Sequence, residues 1–375
     1  MLPVTRVDVG PPPLLADRSV AVVHEWFAST GGSETVFLAI ADLVPHARRY
    51  VLWAERDVEA DFLNLRQSWL ARTPLRRSKA FALPLMPVVW RTLDRTRYDV
   101  VISSSHAFAH TVRPGPSADT RYLSYVHSPA RYVWSPDFDG RGSARVFGAA
   151  RRALRSADVR LSRHVHAYAA NSREIQARIR RYWKRDAVVI NPPVDVDYFA
   201  APPAARHTWP RGYLLGVGRW IPYKNFDLVI AIAAEAGLPL VIAGSGPAEA
   251  ALRRAAADVR VPVTFEVKPS RQRLRELYRG ARALLFPVTE DFGIIPVEAQ
   301  ACGTPVLGLR RGGLLETVVD GETGFLVDST DPADYAALVR RLPELSADRI
   351  QRNAMRFSRE TFATRMAEWI RHESG

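Results

Sequence analysis

The sequence predicts an α/β protein of two domains, each built around a parallel sheet. At 375 residues, the chain is too long for one ordinary hydrophobic core and fits two domains of about 150–190 residues. Short runs rich in β-branched residues alternate with amphipathic helical patterns throughout, as they do in parallel α/β layers. Five prolines interrupt this alternation over residues 191–210, and such a stretch is typical of a linker.

The first half of the chain contains six predicted strands. A Gly31-Gly32 turn follows the first of them, and a helical pattern then covers residues 34–43. The strands are Ser19–His24, Arg49–Trp53, Val100–Ser103, Arg121–Val126, Ala167–Ala170 and Ala187–Ile190. Residues 19–190 are therefore assigned to an N-terminal Rossmann-like domain. Residues 1–18 carry three consecutive prolines in place of a continuous apolar stretch, so we expect a flexible tail and not a signal peptide.

The alternation restarts after the linker and predicts a second Rossmann-like domain over residues 211–356. Its predicted strands are Tyr213–Val217, Leu240–Ala243, Val263–Glu266, Ala283–Phe286, Val306–Gly308 and Gly324–Val327. Its predicted helices are Asn225–Ala236, Pro247–Ala257, Gln272–Gly280 and Ile294–Cys302. A last amphipathic segment, Ser358–Arg371, carries an apolar stripe at helical spacing.

Composition limits the kind of protein that the chain can be. Hydrophobic residues make up 47% and charged residues 24% of it, the balance of a soluble globular protein. No apolar run approaches the ~20 residues that a membrane-spanning helix needs. The single cysteine, Cys302, excludes an intramolecular disulfide framework and a cysteine-built metal site, which fits a reducing cytoplasm.

Basic residues exceed acidic ones, and the formal net charge is +13. One group of cations lies over residues 66–97 among Trp69, Phe81 and other apolar residues, and a second lies over residues 145–163. Apolar side chains beside Arg and Lys favour a surface that contacts an anionic membrane. A solvated basic face is the alternative. No recognised nucleic-acid motif accompanies the charge, so nucleic acid is not an expected partner.

Glu290 and Glu298 flank a predicted helix start. Gly293 and Ile294 lie between them, and the exposed N–H groups of a helix start form an anion site. Two carboxylates beside an anion site are explained if they accept hydrogen bonds from sugar and ribose hydroxyls. The alternative is two ordinary surface glutamates.

A second polar group follows the strand predicted to end at Val217. It contains Gly218, Arg219 and Lys224, and the two cations are donors suited to a pyrophosphate. Open α/β sheets bind ligands beyond the carboxyl ends of their strands. Two such domains joined by a linker are therefore expected to face a central cleft lined by these residues. A solvated Arg/Lys pair remains the alternative.

In their order and spacing, these motifs resemble family 4 of the retaining glycosyltransferases. The motifs of the second half are Gly218-Arg219…Lys224-Asn225, Ala243-Gly244-Ser245-Gly246-Pro247, Tyr278…Pro287, Glu290…Glu298-Ala-Gln-Ala-Cys-Gly303-Thr-Pro305 and Gly312-Gly313…Glu316. Those of the first half are Val23-His24-Glu25-Trp26, Gly31-Gly32-Ser33-Glu34 and Ser124-Tyr-Val-His127-Ser-Pro129-Ala-Arg131-Tyr132-Val-Trp134. The last string is similar to bacterial mannosyltransferases of O-antigen and exopolysaccharide assembly, many of which use GDP-mannose.

The resemblance implies the GT-B fold and a role for each matched residue. His127, Arg219, Lys224 and Glu290 are the implied catalytic residues, with His127 over the donor sugar and Glu290 on its hydroxyls. The implied donor-binding residues are Gly31, Gly32, Gly218, Arg219, Lys224, Gly244, Phe292, Gly293, Ile294, Ile295 and Glu298. Arg219 and Lys224 would hold the diphosphate and Glu298 the ribose. Residues 357–375 are expected to form a helix that packs back on the N-terminal domain.

The predicted function is transfer of a hexose to a glycan or lipid-linked acceptor in cell-surface polysaccharide synthesis. Mannose from GDP-mannose is the expected donor sugar, and neither a cofactor nor a metal is expected. The expected location is the cytoplasm, with peripheral attachment to the inner face of the plasma membrane. Two alternatives stay open: a UDP-sugar donor, and a catalytically silent subunit of a polysaccharide-assembly complex.

Overall fold

The computed structural model describes residues 14–28, 31–55, 64–115, 117–135, 148–202 and 212–375. Residues 1–13 of the predicted tail and residues 203–210 of the predicted linker lie outside them. The chain divides into two compact units. The first holds the described residues up to Ala170, with Arg178–Ile190 and Ala363–Gly375, and the second holds Asn171–Ala177 and Asn191–Phe362. The structural units also divide after Ile190, and Asn171–Ala177, inside the predicted N-terminal domain, belong to the second unit.

The first unit contains a seven-stranded sheet in the order β3-β2-β1-β4-β5-β6-β7, in which all neighbouring strands are parallel. Its strands are β1 (Val20–Phe27), β2 (Arg48–Ala54), β3 (Leu65–Gln67), β4 (Val100–Ser105), β5 (Arg121–Val126), β6 (Ala167–Ala170) and β7 (Val188–Val189). The helices of this part of the chain are α1 (Gly32–Leu43), α2 (Lys79–Ala82), α3 (Met86–Arg91), α4 (Arg131–Trp134), α5 (Gly148–Leu161) and α6 (Arg173–Trp183). Strand β1 is buried along its whole length, because parallel strands are covered on both faces.

The second unit contains a six-stranded parallel sheet in the order β10-β9-β8-β11-β12-β13. Its strands are β8 (Tyr213–Arg219), β9 (Leu240–Ser245), β10 (Val263–Val267), β11 (Ala281–Phe286), β12 (Val306–Leu309) and β13 (Gly324–Val327). Its helices are α7 (Val196–Ala200), α8 (Phe226–Ala236), α9 (Glu249–Ala257), α10 (Arg271–Gly280), α11 (Ile294–Ala301), α12 (Leu314–Thr317), α13 (Pro332–Arg340) and α14 (Ala347–Met355). Hydrophobic clusters lie on both faces of the sheet.

The last helix, α15 (Arg359–Ser374), begins in the second unit and belongs to the first from Ala363 onward. Its side chains Phe362, Met366 and Trp369 are buried, as the apolar stripe predicts. None of the helices in the described residues is long and apolar enough to span a bilayer.

The predicted α/β class with two parallel sheets is confirmed. The boundaries of β5, β6 and β13 agree with the prediction to the residue. Strand β1, however, continues to Phe27 instead of ending at His24, because the polar pair His24 and Glu25 is buried within it. Strand β3 is absent from the prediction, since its three residues are too few to show a period.

Candidate active site

In each unit the first strand lies inside the sheet. The chain adds the next two strands on one side of it and then crosses over to add the remaining strands on the other side. In the second unit β8 lies between β9 and β11, and in the first unit β1 lies between β2 and β4. Such a reversal of strand order opens a crevice at the carboxyl ends of the two central strands, where ligands of open α/β sheets bind. Arg219 and Lys224 lie at the end of β8 and after it, and Glu290 follows β11, so these three residues lie at the second reversal. His127 follows β5, one strand away from the first reversal.

In the second unit, the loops after β8 and β11 bring Lys224 and Glu290 into direct contact. The ammonium group of Lys224 pairs with Oε1 of Glu290, and their side chains are only 10% and 19% exposed. The Lys224 ammonium also lies 5.5 and 5.7 Å from the ring centres of Tyr223 and Phe286. Because the pair is mostly shielded from water, each charge depends on the other for stabilisation.

The turn that carries Lys224 is fixed by Asn225. This residue adopts the left-handed conformation (φ 52°, ψ 40°) between a short 3-10 turn and α8, a conformation that Asn tolerates better than most residues. Its side-chain amide donates to the carbonyl of Pro287, 3.0 Å away, at the end of β11. The loops that hold Lys224 and Glu290 are thus joined directly. Arg219 is exposed at the end of β8.

Glu298 lies in the second turn of α11, which begins after Gly293 (φ 99°). The hydroxyl of Tyr278 donates to its Oε2 at 2.9 Å. Burial raises the pKa of Glu298 to about 7, although the Tyr278 hydrogen bond and nearby Arg271 oppose the shift. The carboxyl group is therefore partly protonated near neutral pH. The first N–H groups of α11, at Ile294 and Ile295, have no acceptor within the helix and can bind an anion.

Glycines bring the backbone segments of this site close together. A Cβ on Gly313 would collide with the backbone of Phe292, and the Gly313 N–H donates to the carbonyl of Glu290 at 2.8 Å. A Cβ on Gly244 would collide with the carbonyl of its strand neighbour Gly218. The Gly312-Gly313 and Gly244 motifs therefore hold the loops that carry Glu290 and Arg219.

In the first unit, His127 follows β5 and contacts the end of β4. Burial, together with neighbouring His106 and His24, holds the pKa of His127 well below its usual 6.5, so this imidazole is neutral at pH 7. Its backbone N–H donates to the carbonyl of Ser105 at 2.8 Å. The imidazole of His127 is therefore a hydrogen-bonding group and not a cation.

Ser104 links the imidazoles of His24 and His127 through hydrogen bonds. Nδ1 of His24 lies 2.9 Å from the Ser104 carbonyl and 3.1 Å from its hydroxyl. Because a carbonyl only accepts, His24 donates from Nδ1. The Ser104 hydroxyl lies 2.8 Å from Nε2 of His127. If this hydroxyl donates to Nε2, the proton of neutral His127 is on Nδ1.

Glu25 joins β1 to the loop after β4. Its Oε1 accepts the N–H groups of Ala107 and Ala109, both at 2.8 Å, and its Oε2 lies 3.2 Å from Nδ1 of His106. Ligand atoms of His24, Glu25 and His106 lie within 4.8 Å of one another, a grouping that could hold a metal ion. The backbone donors to Glu25 account for the position of its carboxylate, and the expected absence of a metal stays a prediction.

The turn at Gly31 and Gly32 starts α1, with Gly31 in an extended conformation. The carboxylate of buried Glu34 reaches back over this turn, where a Cβ on Gly31 would collide with it, and accepts from Ser33 at 2.7 Å. The positive end of α1 therefore already faces a carboxylate. The predicted contacts of Gly31 and Gly32 with sugar and phosphate stay a prediction.

Sequence reasoning missed the partners that position these groups. Tyr278 belongs to one of the family motifs, but no role was predicted for it. Ser104 lies among the serines at the end of β4, and no motif includes it. Asp158, His110 and Trp183 form a further buried network, in which Nε2 of His110 and Nε1 of Trp183 lie 3.0 and 2.7 Å from the Asp158 carboxylate. No motif marked Asp158.

Two family models match the chain. The model described as Glycosyltransferase Family 4 matches residues 30–198, and the model described as Glycosyl transferases group 1 matches residues 206–358. The chain belongs to glycosyltransferase family 4. Its motif resemblance is thereby confirmed at the level of the family.

Solved structures share the fold of this family 4 protein. Anabaena HepE in complex with UDP superposes with a TM-score of 0.71 at 17% identity, over 94% of this chain and 100% of that one. Sucrose-phosphate synthase from Thermosynechococcus elongatus superposes with a TM-score of 0.69 at 20% identity, over 95% and 98%. At these identities the likeness shows the fold alone, and the predicted GT-B fold is confirmed.

Curated relatives match parts of this family 4 protein. The D-inositol 3-phosphate glycosyltransferase of Acidothermus cellulolyticus is 41% identical over 167 residues, which are 38% of this chain and 37% of that protein. The D-inositol 3-phosphate glycosyltransferase 2 of Catenulispora acidiphila is 37% identical over 228 residues, 54% and 50%. The alignments thus cover half or less of the length of these relatives.

Proposed function

We propose that this family 4 protein is a retaining glycosyltransferase that uses a nucleotide-diphosphate sugar and no metal. The observation that carries the proposal is the contact between Lys224 and Glu290 at the strand-order reversal of the second sheet. A cation and a carboxylate side by side suit a ligand that offers both phosphate oxygens and hydroxyl groups.

Each residue of this site has a distinct proposed role toward the donor. Lys224 and the exposed Arg219 bind the diphosphate, with the N–H groups at the start of α11. Glu298 accepts from the ribose hydroxyls, and Glu290 accepts from a hydroxyl of the transferred sugar. A charge-assisted hydrogen bond of this kind contributes about 1.5–3 kcal/mol.

The Lys224–Glu290 ion pair also explains how the site is kept ready before the donor arrives. Each side chain is held by the other, so neither loses much conformational freedom when the donor binds. When the donor binds, its phosphate takes the place of Glu290 beside Lys224, and one of its hydroxyl groups takes the place of Lys224 beside Glu290. Removal of either residue leaves its partner mostly buried and without its ion-pair partner, which affects binding as well as chemistry.

In the proposed reaction, the bond between the anomeric carbon and the β-phosphate oxygen breaks while the acceptor oxygen bonds to the same face of that carbon. The departing diphosphate takes the proton of the acceptor hydroxyl. Fixed cations and amide dipoles stabilise the charge that develops on the diphosphate. His127 contributes its Nδ1–H as a neutral donor to a sugar oxygen.

GDP-mannose is the donor that we propose first, on the motif that contains His127. A UDP-sugar is the second candidate, since HepE has been solved in complex with UDP-glucose. The acceptor is proposed to be a glycan or lipid-linked sugar of cell-surface polysaccharide synthesis, made at the cytoplasmic face of the membrane. The D-inositol 3-phosphate of the named relatives is a further acceptor to test.

Donor binding and transfer can be measured with the same purified protein. Calorimetric titration with GDP-mannose, UDP-glucose and UDP-N-acetylglucosamine identifies the donor, and mass spectrometry with a lipid-linked extract or D-inositol 3-phosphate identifies the product. NMR of the product then reports whether the anomeric configuration is retained. Binding of a nucleotide sugar without transfer to any acceptor would favour the silent-subunit alternative. No binding of any of the three donors would contradict the proposal.

A further inference from the structure

Part of the basic segment at residues 66–97 forms a helical surface with an apolar centre and a cation at each end. Backbone hydrogen bonds from Leu83, Leu85, Met86, Val88 and Val89 to carbonyls three or four residues earlier make α2 and α3 nearly one helix. One side of it carries Phe81, Leu85, Val88 and Arg91, and these residues together with Arg77, which ends the 3-10 turn just before α2, are here called the Phe81 face. All five are exposed, and Phe81 and Val88 are 70% and 55% exposed.

The side of the helix next to the Phe81 face packs into the core of the first unit. Ala82, Met86 and Val89 are completely buried in the core of the first unit. Each of them is the next residue along the chain after Phe81, Leu85 or Val88. The buried and the exposed residues therefore form two neighbouring rows along the helix, both with spacings of four and then three residues. The burial of this row fixes the orientation of the helix, so Phe81, Leu85 and Val88 face away from the core. None of the described residues of the unit covers them.

The electrostatic surroundings of the face are strongly positive. Residues 64–97 contain eight Lys and Arg and a single acidic residue, Asp94. Burial opposes ionisation of Asp94, but hydrogen bonds from Tyr50 and Thr96 outweigh it and lower its pKa to about 2. Its charge is engaged with these partners. Exposed cations of the segment, beyond the two in the face, are Arg66, Arg72, Arg95 and Arg97. Trp69, 49% exposed, adds a further apolar side chain.

We infer that the Phe81 face docks on an anionic lipid bilayer, with Phe81, Leu85 and Val88 among the acyl chains and the arginines on headgroup phosphates. Amphipathic helices with this arrangement lie in the plane of the interface. A second copy of this chain is a poor occupant, because two such faces would bring like charges together. The inference deepens the proposed function, which places the acceptor at a membrane, and identifies the surface that makes the contact.

Vesicle binding tests the surface without any need for transferase activity. Each Lys or Arg near an anionic surface contributes a factor of about five to binding. The double variant Arg77→Gln/Arg91→Gln is therefore expected to bind phosphatidylglycerol-containing vesicles about 25-fold more weakly in sedimentation assays. The control Arg254→Gln changes an exposed arginine of the second unit and is expected to bind like the unaltered protein. Equal binding by the double variant would overturn the inference.

Depth of insertion can be measured at Phe81 itself, because the only cysteine of the chain, Cys302, is buried. A fluorophore on Phe81→Cys should shift to shorter wavelength on anionic vesicles and be quenched by spin-labelled lipids. The same fluorophore on Leu315→Cys, an exposed position of the second unit, should show neither change. An unshifted Phe81→Cys label, or a shift that depends on protein concentration without vesicles, would overturn the inference. Donor titration of the same variants reports separately on the proposed function.

Discussion

The raised pKa of Glu298 predicts that its ionised carboxylate lowers the free energy of unfolding of the second unit. The same carboxylate is proposed to bind the donor. Burial raises the pKa of Glu298 from 4.5 to about 7, and each pKa unit corresponds to about 1.4 kcal/mol. At pH values below 4.5 the carboxyl group is protonated in both states and has no effect. As the pH rises toward 7 the unfolded chain ionises first, so the folded state loses up to about 3 kcal/mol, and the loss is constant above 7.

Glu298→Gln removes this titration and keeps an acceptor for the Tyr278 hydroxyl. The variant is expected to be more stable than the unaltered protein by up to about 3 kcal/mol near pH 8, with the difference shrinking toward pH 4.5. Amide hydrogen exchange in β11 and β12 across this range measures the stability of the second unit. Glu235→Gln, at an exposed glutamate of α8, is the matched control. A difference for Glu298→Gln that does not change with pH would refute the reasoning.

The same titration has a functional counterpart of opposite sign. If ionised Glu298 accepts from the ribose, donor affinity of the unaltered protein should fall by up to tenfold for each pH unit below about 7. The more stable Glu298→Gln variant should bind the donor more weakly at pH 8, and its affinity should lose most of this pH dependence. Calorimetric titration at three pH values measures both effects.

Three substitutions and one chelation experiment test other parts of the site. Lys224→Ala should lower turnover by about 100-fold or more, because the charge on the leaving diphosphate is no longer neutralised; a full rate in the transfer assay would contradict that role. Ser104→Ala should lower turnover and alter its pH profile, because Nε2 of His127 loses its donor and the tautomer is no longer fixed, while Ser104→Thr should restore both. Gly313→Ala should weaken donor binding and lower stability by about 1–3 kcal/mol through collision with Phe292, as titration and thermal unfolding would show. Excess EDTA should leave the transfer rate unchanged, and complete loss of activity would indicate a required metal.

The sequence predicted the strands well where burial alone determines them. Strand β5 is buried from Tyr122 to Val126 in the interior of its sheet, and its bounds were predicted to the residue. Strand β1 extends three residues further than predicted, because His24 and Glu25 are polar but buried by contacts with residues about 80 positions away. Hydropathy along the chain carries no information about such contacts.

The motifs predicted single residues of the site but not the contacts between them. The pattern singled out Lys224 and Glu290 separately, but their ion pair exists because β8 and β11 are neighbours in the sheet. The same is true of Ser104 and His127, which meet because β4 pairs with β5. Partners of this kind depend on strand order and register, and local spacing does not determine either.

The two sheets repeat one strand order but place opposite kinds of polar group at the reversal. In the second unit the group is ionic, with Lys224, Arg219 and two glutamates. In the first it contains imidazoles, and burial holds the pKa values of His106 and His127 well below the usual range. A phosphate is stabilised by fixed positive charge, whereas a sugar hydroxyl is bound by neutral donors and acceptors without the cost of burying a further ion. Under the proposed function, the cations Lys224 and Arg219 of the second unit bind the diphosphate, whereas hydroxyl groups are bound by Glu290 and Glu298 of that unit and by the neutral imidazole of His127 in the first.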